Sequence, residues 1–374
     1  MAGDLRAALR IRRNLRAARP RPGVVHLNLT GRCPGRCWHC EKAGCGEGRD
    51  MPAPALEQAL GLAETFGCRL SLAGGEPLAH RRWQAVVAAA AARSRGVDLF
   101  TGGYRLDRLD AADRALLAEA VDQLFVSLDG ATAAVHDRLR GVDGLFAAAT
   151  AYLTAGPRPR QTWIVHVPQP DCAGLPDMID LAADLRCGLV VQPLIFVSSF
   201  PDLPPAPLKT DLRTRLPQVA DTARRHVEAA AVHARRRGLP HNLDEVAASI
   251  GPYCAHADDG SWFAAHTLPR FRCSVPWQQV TVDEQGRLQP CVFLPAADGP
   301  ASEPTAENWW RLATDYRRRL AAGETWEACR SCSCHFGVNW RNSIVMHPWV
   351  NRRGLAALVR KRLAVHRFGH RQEA

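Results

Sequence analysis

Six short apolar runs recur along the first half of the chain, each set off from the next by a stretch with helical spacing. VVHLNLT (24–30), CRLSLAG (68–74), VDLFTGG (97–103), DQLFVSLDG (122–130), TWIVHVPQ (162–169) and GLVVQPLIFV (188–197) read as strands. Segments between them, such as PAPALEQALGLAETF and HRRWQAVVAAAAARSRG, are too long for strands and repeat Ala, Leu and Val at helical intervals. Strands that alternate with helices in this way pair in parallel, because a parallel crossover needs about a dozen residues. The pattern predicts an α/β fold on a parallel sheet, open or curled toward a barrel. In either form, chemistry collects at the C-terminal ends of the strands.

The pattern changes near residue 197. SSFPDLPPAPLKT is a Pro-rich connection, and TDLRTRLPQVADTARRHVEAAAVHARRRG reads as one long helix with Pro217 in its first third. A loop-rich stretch around GPYCAHADDGSW follows, then a second cysteine-rich region from Arg272. Within it QQVTVDEQGRLQPCVFL reads as a β-hairpin turning at Asp283 to Gly286. The expected division is a basic arm (1–22), a main α/β unit (23–240), a small cysteine-rich module (241–350) and a basic tail (351–374), with no internal repeat.

No apolar run approaches the roughly 18 residues of a membrane span, and the N-terminus has no apolar signal-peptide core. The expected compartment is the cytoplasm. Thirteen cysteines in 374 residues without a secretion signal suit metal or redox chemistry better than a disulfide framework. The net charge of +11 sits at the ends: residues 1–22 carry seven Arg against Asp4, and residues 351–374 carry six Arg and Lys361 against Glu373. Such arms suit an acidic peptide, a nucleic acid or an anionic surface, or are simply solvated tails; neither interleaves aromatics with charge, which disfavours nucleic acid. Lysine occurs only at 42, 209 and 361, and this Arg preference reads as coding bias.

CPGRCWHCEKAGC begins at Cys33, directly after the first predicted strand. Cys33, Cys37 and Cys40 form C-x3-C-x2-C. Zinc would need a fourth ligand, for which His39 and Cys45 are candidates. Thiolates also select iron–sulfur clusters, where three protein ligands leave one iron open for chemistry.

This loop resembles the signature of the radical S-adenosylmethionine (radical SAM) superfamily, in which a C-x3-C-x2-C loop follows the first strand of a partial (β/α)6 barrel. His39 stands where relatives often carry an aromatic residue. The resemblance continues at Gly74, Gly75, Glu76 and Pro77, which match the GGEP motif after strand two. It extends to FVSLDGATAAVHDRLRGVDG, whose SLDG, HD and RG spacing is similar to the subgroup with C-terminal auxiliary clusters. The resemblance implies that Cys33, Cys37 and Cys40 hold a 4Fe–4S cluster whose fourth iron binds S-adenosylmethionine. Gly74, Gly75 and Glu76 would meet the methionine amino group, a carboxylate facing an ammonium. Ser127 and Asp129 would lie near the ribose or the substrate, and Arg138 or Arg140 would pair the methionine carboxylate. One departure is Thr101, Gly102, Gly103 where many relatives have Thr-Asn-Gly, which removes a polar side chain near the cofactor.

Cys273 and Cys291 bracket the predicted hairpin, with Gly286 at its turn, and Cys329, Cys332 and Cys334 follow in CRSCSC. This resembles the SPASM or shorter twitch auxiliary module. It implies one auxiliary 4Fe–4S cluster on Cys273, Cys291, Cys329 and Cys332, with Cys334 spare or exchangeable; a four-cysteine zinc site is the alternative. Cys68, Cys172 and Cys187 sit in or beside apolar segments and read as buried small hydrophobes. Cys254, in the polar loop GPYCAHADDG, is a candidate hydrogen-atom donor, or an ordinary loop cysteine. His256, His266, His335, Asp258 and Asp259 are candidate substrate or acid–base groups, or surface polar residues.

The implied activity is reductive cleavage of S-adenosylmethionine to a 5′-deoxyadenosyl radical that takes a hydrogen atom from substrate. The implied setting is maturation of a ribosomally made peptide by oxidation, cross-linking or epimerisation. A dehydrogenase or epimerase acting on a sugar or aminocyclitol is the alternative, and a non-catalytic zinc protein that binds nucleic acid is a distant one. Partners would be the peptide precursor or small-molecule substrate and an electron donor such as ferredoxin or flavodoxin. With about twenty residues ahead of the first strand, a separate leader-peptide-binding protein would supply leader recognition.

Overall fold

The computed structural model describes residues 13–14, 17–42, 48–196, 207–258, 273, 275–324, 326 and 328–329. All six expected strands form: β1 Val24–Asn28, β2 Arg69–Ala73, β3 Val97–Thr101, β4 Gln123–Ser127, β5 Gln161–His166 and β6 Gly188–Val191. Each pairs in parallel with the next in sequence. Sequential order without reversal, combined with right-handed crossovers, puts the connecting helices on one face, as in a singly wound barrel. The hairpin, β7 Gln279–Val282 and β8 Leu288–Gln289, extends the same sheet, since β7 lies parallel to β1 and β8 returns antiparallel.

The helices are α1 Ala53–Phe66, α2 Trp83–Arg93, α3 Ala111–Ala120, α4 Ala133–Arg140, α5 Leu145–Thr154, α6 Leu175–Asp184, α7 Pro207–Arg236, α8 Leu243–Ala247, α9 Ile250–Ala255, α10 Val275–Gln278 and α11 Ala306–Ala321. Their boundaries follow local chemistry. Gly67, at φ +58°, closes α1 in the left-handed cap that glycine adopts without strain. Asp110 opens α3 by accepting the Asp113 N–H at 2.8 Å. The long α7 forms with Pro217 inside it, as the spacing predicts.

Period-two alternation divides the sheet. Val25, Leu27, Leu70, Leu72, Leu99, Leu124, Val126 and Ile164 are fully buried, packed with helix residues such as Ala59, Ala63 and Ala90. The other face is polar and aromatic. His26 Nδ1 lies 3.0 Å from Ser71 Oγ, Arg69 pairs with Asp98 at 2.5 Å, and Gln123 Nε2 donates to Asp98 Oδ1. In register above them Phe100 stacks on Phe125 with ring centres 4.3 Å apart, and Phe125 on Trp163 at 6.4 Å.

The basic arm is not free where it is described. The buried Asn14 donates to Trp277 O, Arg317 reaches Ala17 O at 3.0 Å, and Arg19 lies over the Trp310 ring and pairs with Glu307. Residues 1–12 and the tail 351–374 lie outside the described residues. Through Trp309 and Trp310, α11 also packs on Phe66 of α1, and Trp309 Nε1 donates to Gln279 O. The cysteine-rich portion is thus docked on the barrel at β1, through β7, and at the end of α1. Among the described residues no helix is long and apolar enough to cross a membrane.

Candidate active site

The first cysteine loop leaves the C-terminal end of β1 and is held from two sides. On one side, Arg36 and Trp38 N–H donate to the carbonyls of Arg140 and Leu139 at the end of α4, both at 2.9 Å. Gly141 makes this approach possible, because a Cβ there would come within 2.7 Å of Arg36 Cβ. On the other side, Gly75 N–H donates to Thr30 O and Glu76 N–H to Arg32 O. A Cβ on Gly75 would lie 2.3 Å from Arg32 O and 3.1 Å from Cys33 Cβ. The glycines of GGEP therefore serve backbone approach to the cysteine loop, and Gly74 adds a φ of +121°. Gly75→Ala is expected to push the two loops apart and cost about 1–3 kcal/mol, read as a lower urea midpoint of the metal-free chain. A midpoint equal to the wild type would mean that the loop gives way freely.

Glu76 is fully buried at the base of this cradle. Its carboxylate accepts from Leu78 N–H, from Thr101 Oγ1 at 2.8 and 3.0 Å, and from Gly102 N–H at 2.8 Å. Burial pushes its pKa up, and these hydrogen bonds together with the charge of Arg140 only partly reverse the shift. Any contact with a methionine ammonium shares oxygens already engaged by β3. The side chain missing at Gly102 is also explained, because a Cβ there would fall 2.4 Å from the Tyr104 ring.

In the SLDG, HD and RG segment, Asp129, His136 and Arg140 form a buried network. Asp129 and Arg140 approach to 2.7 Å through Oδ2 and Nε, an ion pair set off the N–H axis. Asp129 Oδ1 accepts Val167 N–H, and Asp129 N–H donates to His136 Nδ1 at 3.0 Å. Asp137 accepts Gly144 and Phe146 N–H at the start of α5, both at 2.8 Å. Burial alone would raise the Asp129 pKa; Arg140, His39, His166 and the Val167 N–H instead bring it to about 2. Arg140 is the inward arginine, while Arg138 is exposed on α4. Ser127 is half-buried at the end of β4, and Pro77 is buried in the turn after Glu76.

Cys37 is buried, and Cys33 and Cys40 are half-buried. Burial, reinforced by the charges of Glu76, Cys37 and Cys40, pushes the Cys33 thiol up to about 12, and burial with the charges of Cys37 and Glu41 pushes Cys40 up to about 11. Thiols so placed become thiolates when a cation binds and takes over their protons' role. Arg140 Nη1 at 3.5 Å and Tyr104 Oη at 3.1 Å from Cys37 Sγ supply positive charge and a donor for such a thiolate. Among the described residues no three His, Cys, Asp or Glu side chains converge on a single-ion position. His39 Nδ1 instead faces Asp129 Oδ2 at 3.9 Å. Cys33, Cys37 and Cys40, with the cation behind Cys37, are the donor set that would hold an iron–sulfur group. Cys45 lies outside the described residues.

Two buried ion pairs fix the residues that follow Cys40. Glu41 pairs with Lys209 of α7, and Lys42 with Glu284 in the turn between β7 and β8. The sequence reading of lysine as compositional noise missed both. The second cysteine group gathers around Tyr316 of α11. Cys273, Cys291 and Cys329 are buried there, and Tyr316 Oη lies 3.8 Å from Cys273 Sγ. Burial and then these three thiols push the tyrosine pKa well up. Cys332, Cys334, His266, His335 and Asp259 lie outside the described residues.

Cys254 differs from its expectation. It is not in a polar loop but within α9, 1% exposed, in the core that α9 forms against α7. Burial pushes its thiol up to about 12. It belongs to the same apolar core as Ile250, Tyr253 and Ala257. Cys68, Cys172 and Cys187 are buried as expected.

Residues 27–151, from β1 into α5, match the family model of the Radical SAM superfamily. Over 137 residues it is 32% identical to the PqqA peptide cyclase of Ruegeria pomeroyi, covering 35% of this chain and 36% of that protein. The match thus spans about a third of the curated relative's length. The crystal structure of Streptococcus suis SuiB bound to S-adenosylmethionine is similar with a TM-score of 0.56 at 16% identity, covering 83% of this chain and 72% of SuiB. SuiB bound to its precursor peptide SuiA gives the same TM-score and identity over 88% of this chain and 74% of SuiB. At that identity the likeness is one of fold.

Proposed function

We propose that the chain is a radical SAM enzyme that matures a ribosomally made peptide. The observation that carries this reading is the convergence of Cys33, Cys37 and Cys40 with GGEP and the SLDG network inside the segment matched by the superfamily model. Cys33, Cys37 and Cys40 would hold the 4Fe–4S group, which would supply the one-electron reduction of S-adenosylmethionine needed for hydrogen-atom abstraction from substrate. The protein holds the thiolates on a loop pinned between α4 and GGEP. Arg140 balances their charge from a buried position, and Glu76 fixes the end of β3 against the cradle.

A peptide substrate is supported by the relatives' names, one a peptide cyclase and the other seen with a precursor peptide. Cys273, Cys291 and Cys329 around Tyr316, with Cys332 or Cys334, are proposed to hold one auxiliary 4Fe–4S cluster. An electron donor of the ferredoxin or flavodoxin kind and a separate leader-peptide-binding protein complete the proposed partners.

The test is 5′-deoxyadenosine formation from anaerobically reconstituted protein, S-adenosylmethionine and a strong reductant, beside a variant with Cys33, Cys37 and Cys40 all changed to Ala. Wild-type product and none from the variant is the expected result. No product from wild type shown to contain iron and sulfide would overturn the reading.

A further inference from the structure

Tyr104 is absent from every motif, yet its side chain lies at the centre of the cysteine loop. It follows Thr101, Gly102 and Gly103 at the end of β3, and its hydroxyl lies 3.1 Å from Cys37 Sγ. Two bare backbones make its pose possible. A Cβ on Gly35 would fall 2.1 Å from Tyr104 Oη, and one on Gly102 2.4 Å from its Cε2. Asparagine at 102 and tyrosine in this pose therefore exclude each other. The departure from Thr-Asn-Gly and the presence of Tyr104 become a single exchange: a polar side chain at one position is given up so that a phenol two residues later can reach a cysteine. Gly35, inside the cysteine loop and far away in sequence, is fitted to the same ring. Cys37 thereby faces two donors, this phenol and Arg140 Nη1 on α4.

We propose that Tyr104 is a positioning residue that donates its phenolic hydrogen to the Cys37 thiolate and raises the reduction potential of the cluster held there. The inference rests on the proposed function. A donor aimed at a ligating sulfur stabilises the more negative, reduced state over the oxidised one, and hydrogen bonds to sulfur are an established lever on iron–sulfur potentials. Arg140 is committed to Asp129 through Nε, so it cannot pivot to replace the phenol. Tyr104 would also hold the loop shut over Gly35, linking β3 to the cysteine loop by a path separate from that of Glu76.

The experiment is a potentiometric titration of anaerobically reconstituted wild type and Tyr104→Phe, followed by electron paramagnetic resonance, with iron and sulfide counted in each. The expected result is equal iron and sulfide, a more negative midpoint in Tyr104→Phe and altered g-values for the S-adenosylmethionine-binding cluster. Tyr316→Phe should leave that signal untouched. Tyr104→fluorotyrosine keeps the ring and is the stronger donor, and should move the midpoint the opposite way. That variant decides the matter if Tyr104→Phe fails to load iron. An unchanged midpoint in a fully loaded variant would overturn the role of Tyr104 and leave the proposed function standing. A wild type that loads no cluster would overturn both.

Discussion

Arg140→Ala is expected to lose about 3–5 kcal/mol of stability, the usual cost of removing one partner from a buried ion pair. The side chains involved are 7% and 0% exposed for Arg140 and Asp129. With the guanidinium gone, Asp129 loses its strongest charged partner and keeps the Val167 N–H at 3.0 Å, His39 at 3.9 Å and the nearby His166, so its carboxylate is stranded away from water. The same change removes the cation behind Cys37. A double variant, Asp129→Asn with Arg140→Met, should recover much of the loss, because neither charge is then buried. Urea unfolding of the metal-free, reduced chain measures both. A single variant within about 1 kcal/mol of wild type would mean that water reaches Asp129 once Arg140 is removed. If the double variant proved as weak as the single, the pair's hydrogen-bonding geometry would matter more than its charge.

The parts of this arrangement that were legible in the sequence are the ones written locally. Six alternating runs gave six strands, and the hairpin formed around Gly286, whose φ of +84° suits glycine. The cysteines and GGEP announced a site because their chemistry lies within a few adjacent residues. What stayed hidden depends on pairs distant in sequence. Tyr104 meets Cys37 across 67 residues, Lys209 meets Glu41 across 168, and Lys42 meets Glu284 across 242. No window of local pattern contains both members of such a pair. The lysines did leave a trace: in a chain that otherwise uses arginine, two of the three are buried, both beside the first cysteine loop. Cys254 was misread for a different reason. Asp258 and Asp259 suggested a polar loop, but Ile250, Tyr253, Cys254 and Ala257 recur at the three- and four-residue steps of a buried helical face, and all four are buried.

Acid should destabilise the metal-free chain well above the range where carboxylates titrate. His26 and His136 are each held at about 4 against an ordinary 6.5, mainly because burial disfavours the charged ring, with Arg140 adding to the effect at His136. His136 Nδ1 must also stay unprotonated to accept the Asp129 N–H. Because the folded values lie below the unfolded ones, both rings are neutral in the fold between pH 6.5 and 4 while the unfolded chain takes up two protons. The two rings' contribution to stability is therefore full above about 6.5, falls as the pH drops, and is gone below about 4. Two protons correspond to a slope of about 2.7 kcal/mol per pH unit in the middle of that window. His39, also near 4 through burial, would steepen it. Asp129, at about 2, acts only lower, between its unfolded value near 3.8 and its folded one. Urea midpoints taken at steps through the window should trace this slope, and His136→Gln should remove about half of the contribution from the two rings. A profile that stays flat down to pH 4.5 would show that these imidazoles are hydrated in solution, and with them the network that anchors the cysteine loop to α4.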